Sequence, residues 1–229
     1  MTIFIPVHNS DEVVEVQIGK LPEDENEIID ILMAELAPLD LWLRFAVEYY
    51  RQGRHVSFTK MLDPIIEMHE QPSDRQGFAS QLFEVFGADK PQEFMEKRVK
   101  KPLLGIFNAL AAFHTVLGSR GRDKNQKKNE FEKARRYYDK AESVDLLMGS
   151  ANVGRAVLEL AKGELARAQK TMEEVDAFHR ASVPALLGKA CAKFNTGQFG
   201  ESLNLYRKIF EVLRRPGAGS MRHPQRLTC

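Results

Sequence analysis

The sequence of 229 residues predicts a mainly α-helical solenoid, a right-handed superhelix of helix pairs, with a small β-hairpin at its amino terminus. Apolar residues at helical spacing continue from Asp40 onward, and strand-like alternation does not return. The pattern of GELARAQKTMEEV, which starts at Gly163, recurs in GQFGESLNLYRKI, which starts at Gly197. Near the start, IFIPV and VVEVQI are rich in β-branched residues and flank the turn-forming HNSDE, which predicts the hairpin.

The 34-residue period covers a whole helix pair. A shift by one period pairs residues of similar size and polarity: Val153 with Leu187, Ala156 with Ala190, Leu160 with Phe194, Leu165 with Phe199, Ala168 with Ser202, Met172 with Tyr206 and Val175 with Ile209. The small residues predict a close approach of two antiparallel helices, and the glycines predict the turn that ends the first helix. A helix–turn–helix period of this length is typical of tetratricopeptide repeats.

Two earlier repeats are predicted, each followed or interrupted by an insertion. The first helix of one follows the tetratricopeptide register with Trp42, Phe45, Ala46, Tyr49 and Gly53. Another first helix is predicted in LLGIFNALAAFHTVLG, ending at Gly118, with its partner helix starting near Phe131. The predicted solenoid therefore contains four repeats, two regular and two interrupted.

The predicted domain plan has three parts. A hairpin covers residues 1–21, the solenoid covers 22–213 with insertions near 67–101 and 119–130, and a disordered tail covers 214–229. In FGESLNLYRKIFEVL, eight of fifteen residues are apolar, which is more than one partner helix can cover. Because the end of a solenoid normally carries a polar face, we expect the chain to be a fragment or a truncated product that lacks its next repeat.

A stripe on the first helices is predicted to line the concave wall of the solenoid and to bind a helical or extended peptide. Its members recur at spacings of three and four or flank those positions: Leu43, Val47, Tyr50, Arg51, Val153, Val157, Leu160, Leu187, Cys191, Phe194 and Asn195. The alternative is that these residues only pack against neighbouring helices. Tetratricopeptide co-chaperones hold a terminal carboxylate with Lys and Asn at the equivalents of positions 43 and 47, so the Leu and Val found here disfavour that kind of site.

The basic segment RGRDKNQKKNEFEKARR leaves two interpretations open. Eight of its seventeen residues are Lys or Arg, which suits nuclear import or contact with nucleic acid. The alternative is a solvated loop that continues into the polar face of a helix, and the same choice applies to KRVKK at 97–101. The net charge of only +1 argues against a role of the whole protein in binding nucleic acid or an acidic membrane.

No pattern for catalysis or for a metal or cofactor is found. The six histidines are scattered, and there is no phosphate-binding glycine loop, nucleophile elbow or Cys-x-x-Cys pair. The start of the chain does not read as a secretory signal, and we expect no apolar run near the ~20 residues of a membrane-spanning helix. With two cysteines, Cys191 and Cys229, a reducing compartment is expected, and the protein is predicted to be non-enzymatic and without cofactors.

Several stretches carry a resemblance to a known family. The opening IPVHNSDEVVEVQIGKLPEDENEIIDILMAELAPLDLWLRFAVEYYRQG and the later blocks ARRYYDKAESVD, LELAKGELARA and VPALLGKACAKFNTGQFGESLNLYRK are similar, in the same order, to one nuclear scaffold. The chain resembles the amino-terminal part of the tetratricopeptide-repeat subunit of the RNA polymerase II-associated factor (Paf) complex. The resemblance covers roughly 1–65 and 103–213, and the segment 67–101 departs from it.

The resemblance implies a nuclear scaffold that binds other Paf complex subunits and RNA polymerase II. It would support transcription elongation and co-transcriptional histone ubiquitination and methylation, and its amino-terminal repeats would hold a segment of another subunit. Two alternatives remain. The chain could be a generic cytosolic tetratricopeptide-repeat adaptor or co-chaperone, or it could bind nucleic acid directly through the basic segment.

Overall fold

The protein is described here from a computed structural model that covers residues 2–8, 10–70, 95–144, 149–178 and 183–214. The strands are β1 (Thr2–Pro6) and β2 (Val13–Gln17), and a 3-10 turn (Ile18–Lys20) follows them. The helices are α1 (Asn26–Ala34), α2 (Leu39–Arg51), α3 (His55–Glu70), α4 (Lys101–Arg120), α5 (Lys124–Val144), α6 (Gly149–Lys162), α7 (Leu165–Phe178), α8 (Val183–Asn195) and α9 (Phe199–Arg214), with a π-helical turn at Met95–Lys100 before α4. The predicted fold class, mainly helical with an amino-terminal hairpin, is confirmed.

The chain forms two compact units that divide after Leu110. In the first unit β1 and β2 pair antiparallel, with Ile3 opposite Val16 and Ile5 opposite Val14. Ile3 and Ile5 are buried, whereas Phe4 between them is exposed. This alternation follows from the two-residue period of a strand, which turns one face of the hairpin toward the core.

The first helix pair of this unit, α2 and α3, encloses the largest buried side chains of the described chain. Trp42, Phe45 and Tyr49 are at most 1% exposed. The Trp42 indole Nε1 donates a hydrogen bond to the Ala37 carbonyl at 3.3 Å, so its polar atom is satisfied inside the core. Gly53 follows α2 with φ of +79°, a conformation that ends a helix and that favours glycine.

In the second unit the small residues of the repeat lie where the helices touch. The four residues that the sequence assigns to these contacts, Ala156, Ala168, Ala190 and Ser202, are buried, and so is Ala134, one period before Ala168. The Ser202 hydroxyl donates to the Ala190 carbonyl at 2.9 Å, which joins α9 to α8. Gly163 and Gly197 have φ of +81° and +76°, so both predicted turns are confirmed.

The contacts between successive helix pairs also repeat with the 34-residue period. The Tyr138 ring lies over Gly154, where a Cβ would come within 2.3 Å of it, and Met172 lies over Gly188 in the same way. Two ion pairs recur at matching positions: Arg155 with Glu142 at 2.6 Å and Lys189 with Asp176 at 2.9 Å. These contacts between helices therefore recur with the repeat. A comparison of single residues does not reveal them, because each contact depends on two positions on different helices.

The predicted end of one first helix is wrong. We expect that helix to end at Gly118, but α4 continues to Arg120 and Gly118 lies inside it. A Cβ at Gly118 would meet the Phe131 ring at 2.5 Å, so this glycine makes room for an aromatic side chain rather than for a turn. The next helix begins at Lys124 instead of near Phe131, and most of the predicted 119–130 insertion forms the first turns of α5.

Local hydrogen bonds explain why α5 begins early. The Asp123 carboxylate accepts a hydrogen bond from the Gln126 amide at 2.9 Å, which caps the first turn. Seven residues after Asp123, the Glu130 carboxylate lies 2.6 Å from His114 Nδ1 on α4. Of the other predicted insertion, 67–101, the structure describes the end of α3 and the turn before α4, while 71–94 lie outside the described residues, as do 215–229 of the predicted tail.

The helical stretch Glu96–Arg120 is long and apolar enough to span a membrane by length and composition, with a mean hydropathy of 1.3 over its most apolar 18 residues. This corrects the expectation that no apolar run approaches that length. Half of its most apolar part is buried within the protein, where Leu104, Phe107 and Leu110 have at most 2% exposure. A core helix that is covered on several sides has the same apolar composition, and we interpret α4 in this way.

Glu25 connects the segment before α1 to the first helix pair. Its side chain is buried, and its two oxygens lie 2.6 Å from Lys60 Nζ and 2.9 Å from Ser57 Oγ, both on α3. The hydrogen bond from Lys60 lowers the pKa of Glu25 below its usual value, although burial of the carboxyl opposes the shift. The ionised carboxylate is therefore the form that stabilises this contact.

We expect Glu25→Gln to lower the free energy of unfolding at about pH 7 and to matter progressively less as the pH falls below about 4. A carboxyl with a depressed pKa contributes its stability above the unfolded pKa and loses it as the pH falls through the folded pKa. Urea unfolding of both proteins at neutral and acidic pH measures the difference, and Glu15→Gln on the exposed side of β2 serves as the control. An equal difference at both pH values would contradict this assignment.

Candidate partner-binding surface

In the first unit the predicted stripe divides into covered and accessible residues. Leu43 and Val47 are half-buried on α2, and the Leu43 side chain packs against Gly105 of α4, where a Cβ would lie 2.9 Å from its Cδ2. Tyr50 is 37% exposed, and its ring contacts His55 at a centroid distance of 4.9 Å. Arg51 is exposed and pairs with Glu48 one turn earlier. Tyr50 and Arg51 are thus the accessible members here.

In the second unit the same division occurs on α6 and α8. Val157 and Phe194 are 43% and 58% exposed, and Asn195 beside Phe194 is also exposed. Val153 packs against the core cluster of Ala156, Met172, Val175 and Ala185, so it contributes mainly to the contact between helices. Leu160, Leu187 and Cys191 are half-buried, and Cys191 Sγ lies 3.9 Å from the Tyr206 hydroxyl.

The accessible members of the stripe differ in polarity within each unit. In the second unit Val157 and Phe194 expose hydrocarbon, and Asn195 can form hydrogen bonds at the side of α8. In the first unit Arg51 is the accessible polar residue. Large exposed apolar side chains that recur on equivalent helices are a common feature of surfaces that bind another polypeptide. The arrangement can hold an apolar side of a peptide without any chemical step.

A second apolar surface lies on α9, outside the predicted site residues. More than half of each of four side chains is exposed: Phe199, Leu203, Phe210 and Leu213. The Phe199 ring packs edge-on against Phe194, with centroids 5.3 Å apart, so this surface adjoins the exposed end of α8. The shift by one repeat pairs Phe199 with Leu165, and we expect such large residues to fill the groove between helices; the 61% exposure of Phe199 corrects this expectation. The excess of apolar residues in α9 is the signal in the sequence that points to the surface.

Within the described residues, no group of three or more His, Cys, Asp or Glu side chains is placed to hold a metal ion. Burial raises the pKa of Tyr138 to about 12, against a smaller opposing effect of its hydrogen bond with Thr115, so the phenol stays neutral in the core. His114, the most buried histidine of the described chain, is placed between the Glu130 carboxylate and the stacked Tyr137 ring. These polar contacts hold helices together.

Helix pairs at a 34-residue period, with turns at glycines of positive φ and small residues at each contact, define a tetratricopeptide-repeat protein. No family model matches the chain. The chain is homologous to CTR9 proteins over most of its length. It is 39% identical to the protein CTR9 homolog of Arabidopsis thaliana over 211 residues, and this match covers 92% of the chain. It is 28% identical to the RNA polymerase-associated protein CTR9 of Caenorhabditis elegans over 93% of this chain.

The chain spans 17% of the length of each of these two relatives. A shorter match of 43 residues, 44% identical, joins it to tetratricopeptide repeat protein 1 of Schizosaccharomyces pombe, over 19% of this chain and 4% of that protein. Among solved structures, a tetratricopeptide-repeat protein of Thermus thermophilus aligns with a TM-score of 0.46 and 19% identity, over 76% of this chain and 90% of that one.

Proposed function

We propose that this chain is a tetratricopeptide segment of a non-enzymatic scaffold subunit of the Paf complex, and that it acts in the nucleus. In that role it binds segments of other complex subunits and contributes to the association with RNA polymerase II, to transcription elongation and to co-transcriptional histone modification. The homology to CTR9 over 92% of the chain supports this proposal, as does the name of the nematode relative, RNA polymerase-associated protein CTR9. The resemblance of the non-repeat start of the chain to the same subunit agrees with it.

The exposure of Val157 and Phe194 on successive first helices is the observation that carries the binding function. Each leaves a large apolar side chain in water in the folded unit. Covering such surface with the apolar side of a peptide gains roughly 25 cal/mol per Å² of buried area. We propose that these two residues, with Tyr50 and Arg51 in the first unit and Asn195 beside Phe194, contact the partner. In this proposal the half-buried members support the accessible residues of their own unit: Leu43 and Val47 in the first unit, and Val153, Leu160, Leu187 and Cys191 in the second.

A generic cytosolic adaptor or co-chaperone is the alternative function. A carboxylate-binding co-chaperone needs hydrogen-bond donors at two positions that Leu43 and Val47 occupy here, and hydrocarbon side chains cannot donate. Both are also half-buried, with Leu43 packed on Gly105. The CTR9 homology favours the Paf scaffold over this alternative.

A pull-down from nuclear extract tests the proposed binding surface. We expect the tagged chain to retain polymerase-associated subunits, and the double variant Val157→Asp with Phe194→Asp to retain them at least about tenfold less, because two charges would be desolvated in the interface. Both positions are exposed, so the variant should fold. Val56→Asp is the matched control, since Val56 is 68% exposed on α3 and lies outside the stripe.

Three results of the pull-down would contradict the proposal. Heat-shock chaperones in place of polymerase-associated subunits would favour the co-chaperone. Equal loss in the Val56→Asp control would mean that added charge, not the stripe, decides binding. Full retention by the double variant, with helicity unchanged by circular dichroism, would remove Val157 and Phe194 from the contact.

A further inference from the structure

A basic groove of about 410 Å³ lies along one face of α5, between its first turns and the turn that joins α6 to α7. Lys124, Lys127, Lys128 and Arg135 line it from α5, and Lys162 lines it from the end of α6. The α5 residues recur at spacings of three, four and seven, which places them on one side of the helix. The sequence suggests that these basic residues lie in a loop. In the structure most of them lie on one helix, which aligns their charges in a row.

The charge of this groove is largely uncompensated. Two acidic side chains also line it, Glu132 and Glu164. Glu164 pairs with Lys162 at 2.7 Å and with Arg167 at 2.9 Å, and Arg135 of the groove pairs with Asp139 at 3.8 Å. Within the described part of the chain, Lys124, Lys127 and Lys128 form no ion pair, unlike Lys133 and Lys162 nearby. An excess of positive charge therefore faces solvent at this place in a chain whose overall charge is only +1.

The position of the lysines on α5 raises the local potential further. The amino-terminal end of a helix carries a partial positive charge, and acidic residues are the favourable ones in its first turn. The first turn of α5 contains no acidic residue, and Asp123 just before it is engaged in capping the Gln126 amide. Lysines at the positive end of a helix repel that end, and a bound anion would relieve the repulsion.

We propose that this groove binds an acidic polypeptide segment, extended along α5 and rich in Asp and Glu. From Lys124 to Arg135 the helix rises about 16 Å, which an extended peptide spans with about five residues. Lysines spread over that length suit carboxylates spread along a chain, since each ammonium acts as a separate point charge. The surface is distinct from the apolar stripe, and the proposal does not depend on it.

Two features favour a polypeptide over single-stranded nucleic acid. Single-strand sites combine positive charge with aromatic rings on which bases stack. Phe131 lines the groove, but its ring is occupied by the contact with Gly118, where a Cβ would lie within 2.5 Å. Glu132 also lies among the lysines and would repel a continuous phosphate backbone more than it would a peptide whose acidic residues can be spaced around it.

Fluorescence anisotropy with a labelled oligoglutamate peptide tests the proposal on the full chain. We expect binding that weakens several-fold as the salt concentration rises from about 50 to about 200 mM, because exposed charges are screened. The variant Lys124→Glu, Lys127→Glu, Lys128→Glu should bind at least about tenfold more weakly. Glutamate is favourable near the start of a helix, so α5 should persist in it. The neutralised variant Lys124→Gln, Lys128→Gln should bind less tightly by about threefold and keeps the test valid if the first variant does not fold.

The matched control reverses the charge of the second basic cluster of the sequence, KRVKK at 97–101. Arg98→Glu, Lys100→Glu, Lys101→Glu makes the same change in net charge on exposed residues of the first unit, and we expect its affinity to equal that of the unmodified chain. An oligoglutamine peptide should not bind. The proposal is overturned if the control weakens binding as much as the α5 variants, if those variants bind normally, or if oligoglutamate does not bind. It is also overturned if oligouridine binds more tightly than oligoglutamate and depends on the same lysines.

Discussion

Replacing Trp42 with alanine is expected to lower the free energy of unfolding of the first unit by about 3–5 kcal/mol. The side chain is 1% exposed between α2 and its neighbours, so its removal leaves a cavity that the surrounding helices can only partly fill. The hydrogen bond from its indole to the Ala37 carbonyl is lost as well. Urea unfolding followed by far-UV circular dichroism measures the change, since Trp42 is the single tryptophan and fluorescence would lose its probe.

Phe4→Ala is the control for Trp42→Ala. Phe4 is also aromatic and lies in the same unit, but it is 55% exposed on the outer face of the hairpin. A surface substitution of this kind should change stability by no more than about 0.5 kcal/mol. If Trp42→Ala were as mild as Phe4→Ala, Trp42 would not be a core residue between antiparallel helices, and the first repeat would be wrongly assigned.

Replacing Gly154 with leucine is expected to destabilise the second unit by about 3 kcal/mol, at the upper end of the usual range for overpacking. A Cβ at this position would come within 2.3 Å of Tyr138 Cε1 and 2.7 Å of its hydroxyl oxygen. The Tyr138 ring is rigid and belongs to the core cluster with Ala111, Ala134 and Leu158, so it cannot move aside without opening that cluster. Urea unfolding with circular dichroism measures this change too.

Gly200→Leu and Gly188→Ala make the Gly154 prediction specific. Nothing lies within 4 Å of a Cβ at Gly200, so leucine there should be neutral or should stabilise α9 by up to about 1 kcal/mol through its helix propensity. At Gly188 the facing atoms belong to the end of Met172, a flexible side chain, and we expect Gly188→Ala to cost less than Gly154→Ala. Equal effects at Gly154 and Gly200 would mean that α5 and α6 do not meet at Tyr138.

The helix pairs could be predicted because the requirements of helix packing determine the pattern of residue sizes in the sequence. Two helices that approach closely need small residues at the contact, and Ala156, Ala190 and Ser202 are small in the sequence and buried in the structure. Gly118 shows where this reasoning stops. The sequence does not distinguish a glycine that ends a helix from a glycine that makes room for an aromatic ring. At Gly118 the role is decided by Phe131, which lies on another helix.

The candidate site was less predictable than the fold. Spacing places Val153 and Val157 on the same side of α6, but burial of each depends on the helices packed beside it. Val153 joins a core cluster and Val157 remains 43% exposed. The basic groove shows the opposite case, because the lysines were visible in the sequence and only the early start of α5 aligned them. Side-chain types are thus readable from sequence, whereas exposure requires the neighbouring elements.

Site-specific photo-crosslinking tests most directly whether the exposed stripe of the repeats holds another polypeptide. A photoreactive phenylalanine analogue is placed at Val157, at Phe194 or, as the reference, at Val56, and the chain is irradiated in nuclear extract. We expect mass spectrometry to identify adducts with polymerase-associated subunits at Val157 and Phe194 but not at Val56. Two results would contradict this binding surface. One is adducts with those subunits at Val56 alone, and the other is no adduct at any of the three positions although the subunits still co-purify with the chain.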